Sequence, residues 1–175
     1  MAILTTHVGS LPRPKIVSDL LFKREKEEEY NLQYFEEVIS NSVEEVVKKQ
    51  LDVGVDIISD GEMSKISYAT YVKDRYNGFA GDSERNPPQD LEKFPNYMKK
   101  IADSGGTPTY SRPCCVAEIS SKKNNDLTND IKNILSASKK FNHNKIFMNA
   151  ASPGVISLFL IHISEPTRRK RISVC

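Results

Sequence analysis

The sequence predicts an α/β fold in which strand, loop and helix alternate about four times. Three observations predict it: short apolar runs that end in glycine or polar loops, amphipathic segments with apolar residues three and four apart, and the alternation of the two. A closed eightfold barrel needs about 200–250 residues or more. The 175 residues are therefore expected to form a (β/α)8 TIM barrel truncated to about its first four βα units.

Four short apolar runs are the predicted strands, at residues 3–8, 55–59, 114–119 and 145–149. The second run, Val55-Asp-Ile-Ile-Ser59, has the composition of a strand buried in a parallel sheet. The first run stops at Gly9-Ser10, and the second stops at Asp60-Gly61-Glu62. Loops of this kind, at the carboxyl ends of parallel strands, form the active sites of α/β proteins.

Helices are predicted between these runs, at residues 15–22, 35–51, 63–72 and 127–141, with a further one beginning at 155. The clearest covers 35–51, where apolar residues recur at helical spacing between glutamates and lysines. Pro14 suits the first position of the first helix. Residues 77–88, rich in Asn, Gly and Pro, are predicted to be a long irregular loop.

Composition narrows the class of protein. The apolar fraction of 38% and charged fraction of 27% are typical of soluble globular domains. The net charge is +2, and the last fifteen residues alone carry +3, so the other 160 residues carry −1. This nearly neutral part is not expected to form a nucleic-acid surface. No signal peptide and no membrane-spanning run is visible, and the cytoplasm is the expected location. Cys114 and Cys115 are adjacent on a predicted strand and face opposite sides, so they are not expected to form a zinc pair.

Helical patterning continues to Leu160 and is absent from residues 161–175. The basic cluster Arg168-Arg-Lys-Arg171 is compatible with a nuclear address or a nucleic-acid patch. The preferred interpretation is sequence joined to a broken reading frame. We therefore expect one domain over residues 1–160, the N-terminal half of a barrel, and a non-native or disordered basic tail over 161–175.

Two predicted strand ends carry groups that can bind a small charged molecule. Gly9 lets a ligand approach the backbone, and Ser10 offers a hydroxyl and an N–H near a helix start, which favours a carboxylate or phosphate. Asp60 and Glu62 would attract an ammonium group. Opposite charges on neighbouring loops suit the two ends of an amino acid. Simpler interpretations stay open: Asp-Gly is a common turn, Glu62 has the place of a helix first-turn acid, and His7 has the place of a packed histidine.

Four segments together resemble one known family: TTHVGSLPRP (5–14), the block 55–79 containing SDGE, CCVAEIS (114–120) and FMNAASPGV (147–155). They are similar to the catalytic barrel of cobalamin-independent methionine synthase, in its short single-barrel form, from about Thr5 to Leu160. The resemblance implies transfer of a methyl group from 5-methyltetrahydrofolate, usually polyglutamylated, to the thiol of homocysteine. It further implies that Gly9 and Ser10 bind the homocysteine carboxylate and that Glu62 binds its amino group. His7 and Asp60 are second choices, lining the same opening.

The family also implies a bound Zn²⁺ that holds the substrate thiol as a thiolate. Its ligands in the family are a His-x-Cys pair, a glutamate and a distant cysteine in the second half of the barrel. The histidines of this chain are His7, His143 and His162, and none stands two residues before a cysteine. We therefore expect no metal site in this chain, and an open barrel fragment that is poorly stable and inactive.

Two alternatives remain open. One is another enzyme of the same superfamily, either a zinc-dependent thiol alkyltransferase with a different acceptor or a metal-free enzyme resembling uroporphyrinogen decarboxylase. A decarboxylase of that kind needs arginines near the strand ends, where Arg13 and Arg75 are the candidates. The other alternative is not an enzyme: an inactive truncated product, or a subunit that another chain completes.

Overall fold

A computed structural model describes residues 3–81, 92–103, 113–154 and 156. The helices and strands of these residues are, in chain order, α1 (Lys15–Glu25), α2 (Leu32–Asp52), α3 (Tyr68–Arg75), β1 (Tyr76–Ala80), α4 (Pro95–Asp103), β2 (Cys114–Ser121) and α5 (Asp126–Lys140). The predicted tail, residues 161–175, lies outside the described residues. None of the helices in the described ranges has the length and hydropathy needed to span a bilayer.

Three extended segments run parallel and support the loops of interest. Thr6 pairs with Ile57, and Ile58 pairs with Ile146, both as parallel bridges. The Ile57 N–H donates to Thr5 O at 3.0 Å, and the Phe147 N–H donates to Ile58 O at 2.8 Å. The segment around Ile57–Ile58 is therefore central. The predicted α/β class and the parallel pairing of these three predicted strands are confirmed.

The hydrophobic core lies between these segments and the helices α1, α2 and α5. Helix α2 packs against both α1 and α5, and its apolar residues at three- and four-residue spacing form its buried face. Ile58 of the central segment is fully buried in the same core. The members of this core are Val17, Leu20, Leu21, Phe35, Ile39, Val43, Val46, Val47, Ile58, Met63, Ile134 and Ala137.

The helices near the site begin at recognisable capping residues. Asn31 precedes α2, and its side chain accepts the Tyr34 N–H at 2.9 Å. Ser67 precedes α3, and its hydroxyl accepts the Thr70 N–H at 3.2 Å. Each cap satisfies a main-chain donor that has no partner within the helix. The observed bounds of α1, α2 and α5 agree with the helices predicted at 15–22, 35–51 and 127–141.

One predicted strand pairs differently from the expectation. Residues 114–119 do form a strand, β2, but β2 pairs antiparallel with β1 and not with the three parallel segments. Residues 77–80, expected to belong to a long irregular loop, form β1 together with Tyr76. Gly78 explains the close pairing, because a Cβ there would lie 2.7 Å from Glu118 O. The prediction of four equivalent parallel strands is therefore wrong for 114–119 in the described structure.

The predicted helix at 63–72 also begins later than expected. Residues 61–64 form a turn, and α3 starts only at Tyr68. The physical cause is the backbone at Gly61 and Glu62, which have φ of 59° and 56°. Residues in the left-handed region cannot begin a right-handed helix. Helix α3 therefore begins only after the cap at Ser67.

Candidate functional site

The loops that follow the first two parallel segments touch each other. The Leu11 N–H donates to Gly61 O at 3.0 Å. A Cβ at Gly61 would lie 3.1 Å from the Leu11 Cβ, so a side chain here would push the two loops apart. Glu62 follows in the left-handed region, which is uncommon outside glycine and is typical of functional turns. This turn brings Glu62 next to the first loop.

Glu62 is a buried residue, only 7% exposed, and it is the centre of a hydrogen-bond network. The Ser10 hydroxyl donates to Oε2 at 2.5 Å. On the other oxygen, Oε1 accepts from the Tyr68 hydroxyl at 2.6 Å and from Asn149 Nδ2 at 3.2 Å. Ser10 and Asn149 follow the two outer parallel segments, while Glu62 follows the central one. The predicted proximity of Ser10 and Glu62 is therefore present in the structure.

This network sets the protonation state of Glu62. Burial alone would raise the pKa of the carboxyl group, but hydrogen bonds from Ser10, Tyr68 and Asn149 and the charge of Lys65 outweigh it, so the pKa is lowered. Burial and the neighbouring Glu62 raise the pKa of Tyr68 to about 12. At neutral pH the site therefore holds an ionised glutamate beside a protonated tyrosine.

Asp60 is engaged by the protein itself. Its Oδ1 accepts the Glu62 N–H at 3.0 Å, and its Oδ2 pairs with Lys65 Nζ at 3.1 Å. Both side chains of the pair are almost fully buried. Lys65 Nζ also lies 5.1 Å from the centre of the Tyr71 ring. The charge of Asp60 is thus compensated internally and its oxygens stabilise the turn. A substrate contact by Asp60 stays a prediction.

Arg13 joins the two loops through main-chain oxygens. Its Nε and one terminal nitrogen donate to Glu62 O at 3.2 and 3.0 Å, and the same terminal nitrogen donates to Lys65 O. That nitrogen also lies 3.2 Å from Ser10 Oγ. These contacts are called the Arg13 clamp below. The guanidinium is therefore committed to the loops. The other arginine of the decarboxylase interpretation, Arg75, stacks on the ring of Tyr71, with its Cζ 4.9 Å from the ring centre.

Gly9 and His7 have different surroundings. Gly9 has φ of 102°, and a Cβ there would meet no atom within 4 Å, so the loop is open on this side. His7 lines a cavity of about 340 Å³ together with residues of α2 such as Val46 and Gln50. None of the hydrogen bonds found around Glu62 involves His7. Of the five predicted site residues, Gly9, Ser10, Asp60 and Glu62 are brought together by the two loops, and His7 faces α2.

The described residues do not provide a zinc site. Within residues 3–81, 92–103, 113–154 and 156, no three His, Cys, Asp or Glu side chains are grouped to hold a metal ion. Cys114 and Cys115 lie side by side on β2, and His143 contacts Asp56 O at 3.0 Å. The donor set of this part of the chain therefore does not fit the zinc that the resemblance implies, and no chemical step is assigned to it.

Comparison with known proteins gives matches to one family. The model of the catalytic domain of cobalamin-independent synthases matches residues 3–86. Over these residues the chain is similar to this family. A methionine synthase from Sulfolobus acidocaldarius is 26% identical over 128 residues, which cover 73% of this chain and 36% of that protein. A B12-independent methionine synthase from Shewanella sp. W3-18-1, solved in complex with selenomethionine, has the same fold with a TM-score of 0.58 and 20% identity.

The chain spans well under half of the length of these relatives. The structural match covers 92% of this chain but 42% of the Shewanella protein. Together with the family model, which covers residues of both contacting loops, the match confirms the resemblance found in the sequence. It also places the Gly9–Ser10 loop and the Glu62 turn inside the catalytic domain of the family.

Sequence reasoning missed three residues of the site. Tyr68 lies within the helix predicted at 63–72, and its hydroxyl donates to Glu62. Asn149 ends the fourth predicted strand, and the rule that carboxyl ends of parallel strands meet could have found it. Arg13 was considered only as a substrate ligand. No sequence signal indicated that its guanidinium would bind the carbonyls of residues 62 and 65.

Proposed function

We propose that this chain is the N-terminal part of a cytoplasmic (β/α)8 methyltransferase, which transfers a methyl group from 5-methyltetrahydrofolate to the thiol of homocysteine. In this proposal the chain supplies the position for the amino-acid end of homocysteine. Glu62 binds the ammonium group, and the Gly9–Ser10 loop binds the carboxylate. The similarity of residues 3–86 to the catalytic domain of the family, and of the chain to a methionine synthase, supports the reaction class.

One observation carries the assignment of the ligand: Ser10 Oγ and Glu62 Oε2 are 2.5 Å apart. The ammonium and the carboxylate of an α-amino acid are bonded to a single carbon, so the groups that bind them must adjoin. An ionised Glu62 suits the ammonium, since its partners Ser10 and Tyr68 keep it charged. The Shewanella protein binds selenomethionine, a molecule with the same charged end.

In the proposed complex, the carboxylate of homocysteine binds mainly to main-chain N–H groups and not to the Ser10 hydroxyl. That hydroxyl donates its single proton to Glu62. The N–H groups near a loop that leads into α1 favour an anion, and Gly9 leaves space for a ligand to approach them. Ser10 then has a positioning role, because it fixes the Glu62 carboxylate at the edge of the loop.

In the complete protein, zinc would hold the thiol of homocysteine as a thiolate. We place the zinc ligands outside the described residues. The decarboxylase alternative receives no support, because Arg13 and Arg75 are both occupied by protein groups. What this chain contributes in the proposal is the binding and orientation of the amino acid. In this orientation the thiol of the bound homocysteine lies over the interior of the barrel.

Titration calorimetry of the 175-residue chain with L-methionine tests the assignment. Glu62→Gln removes the charge but keeps the shape, and we expect methionine to bind at least about tenfold more weakly. An analogue that lacks the amino group should bind both proteins equally. Glu37→Gln, the same change at an exposed position of α2, is the matched control and should bind methionine like the wild type. Unchanged methionine binding by Glu62→Gln would refute the proposal.

A further inference from the structure

Asn149 carries an acceptor that the described protein does not satisfy. Its Nδ2 donates to Glu62 Oε1 at 3.2 Å. Its Oδ1 is buried and has no hydrogen-bond donor among the described residues. A flipped amide would direct Oδ1 at the glutamate oxygen, so the bond to Glu62 fixes which end of the amide is the acceptor. A buried amide oxygen with no donor indicates that a donor from outside the protein belongs there.

The hydrogen-bonding capacity of Glu62 points to the same place. A carboxylate has about four acceptor positions. Three are occupied, by Ser10 on Oε2 and by Tyr68 and Asn149 on Oε1. One position therefore remains, on Oε2. A single remaining position cannot satisfy the three N–H donors of a primary ammonium, which needs further acceptors nearby.

We propose that Asn149 Oδ1 is the second protein acceptor for the ligand ammonium, so that the site selects primary amines over N-alkylated ones. The inference rests on the proposed function of Glu62 and specifies the ligand class that it binds. One N–H of the ammonium goes to Glu62 Oε2 and a second goes to Asn149 Oδ1. A dimethylated ammonium has a single N–H and can use only one of these acceptors.

The position of Asn149 in the fold supports this role. It lies three residues after Ile146, which pairs with Ile58 of the central segment, and Glu62 lies four residues after Ile58. The carboxyl ends of neighbouring parallel segments open at one edge. Asn149 and Glu62 therefore face one ligand from two adjacent segments, with the Gly9–Ser10 loop on the third.

Tyr68 provides a matched control, because both Tyr68 and Asn149 donate one hydrogen bond to Glu62 Oε1. Of the two, only Asn149 has a buried oxygen without a hydrogen-bond donor among the described residues. The experiment is calorimetric titration of the 175-residue chain, as wild type, Asn149→Leu and Tyr68→Phe, with L-methionine and with N,N-dimethyl-L-methionine. We expect the wild type to prefer methionine by about tenfold or more. Asn149→Leu should lose most of that preference. Tyr68→Phe should weaken both ligands alike and keep it.

The outcomes separate this inference from the proposed function. If Asn149→Leu and Tyr68→Phe reduce methionine binding equally and both keep the preference, Asn149 acts only by orienting Glu62, and the inference is wrong while the Glu62 assignment stands. If the wild type does not bind methionine, the proposed function is wrong and the inference with it. Circular dichroism verifies the fold of each variant, and Asn149→Ala, the smaller change, provides the same comparison if Asn149→Leu does not fold.

Discussion

Gln50 holds the central segment to helix α2, and Gln50→Leu measures the strength of this connection. The side chain is 4% exposed. Its Oε1 accepts the Ser59 N–H at 2.9 Å, and its Nε2 donates to Ser59 O at 2.8 Å and to Val46 O at 3.1 Å. Gln50 thus satisfies both main-chain groups of Ser59, as a neighbouring strand would. Ser59 leads directly into the turn that carries Glu62.

The expected loss follows from these contacts. Leucine has nearly the volume of glutamine but leaves the N–H and C=O of Ser59 buried without partners. Each such group costs about 1–3 kcal/mol. Burial of a more apolar side chain returns about 1–2 kcal/mol. We therefore expect the free energy of unfolding to fall by about 3 kcal/mol, a large share of the stability of an ordinary domain.

Urea unfolding, followed by far-ultraviolet circular dichroism, measures the change. Gln33→Leu is the control, since it makes the same substitution at an exposed position of the same helix and should alter the free energy by less than about 0.5 kcal/mol. Equal effects of Gln50→Leu and Gln33→Leu would show that the bonds to Ser59 are not what holds the segment.

Three further outcomes concern the site and its surroundings. Gly9→Ala places a side chain at φ of 102° and should lower the free energy of unfolding by about 1–3 kcal/mol, whereas Gly154→Ala, which lacks this constraint, should leave it nearly unchanged in the same urea assay. Because the pKa of Glu62 is lowered, its contribution to stability is present above its unfolded pKa of about 4.3 and is lost as the pH falls through the folded pKa. The difference in stability between wild type and Glu62→Gln should therefore shrink in acid. Asp130 is a buried residue of α5 whose Oδ2 accepts the Tyr71 hydroxyl at 2.6 Å, and burial raises the pKa of its carboxyl group. The stability of Asp130→Asn relative to the wild type should therefore increase as the pH rises. Stability curves that run parallel to that of the wild type would contradict both assignments.

The helices could be predicted because their signal is local. Helix α2 buries residues such as Ile39 and Val43 on one face, and that spacing is visible in the sequence. The order of the parallel segments and the antiparallel partner of β2 depend on contacts between distant residues, such as Gly78 against Glu118. Periodicity does not contain this information, which is why residues 114–119 were assigned to the wrong sheet.

The site was predictable to the extent that it follows from strand ends. Ser10 and Glu62 were expected to meet because both follow parallel segments, and they do. The roles of individual side chains were less accessible. Lys65 neutralises Asp60 because a left-handed turn folds it back into the interior, and no spacing rule anticipates two consecutive left-handed residues. Tyr68 and Asn149 were missed because the direction of a side chain depends on the completed fold.

The Arg13 clamp has a consequence for how this framework can change. Arg13 recognises the carbonyl oxygens of residues 62 and 65 and not their side chains. Any residue that tolerates the local backbone presents the same carbonyl oxygen. The hydrogen bonds from Arg13 therefore do not depend on which side chains stand at positions 62 and 65. A change of the side chain at position 62 therefore leaves the Arg13 contact in place, even where it removes the hydrogen bonds from Ser10 and Tyr68.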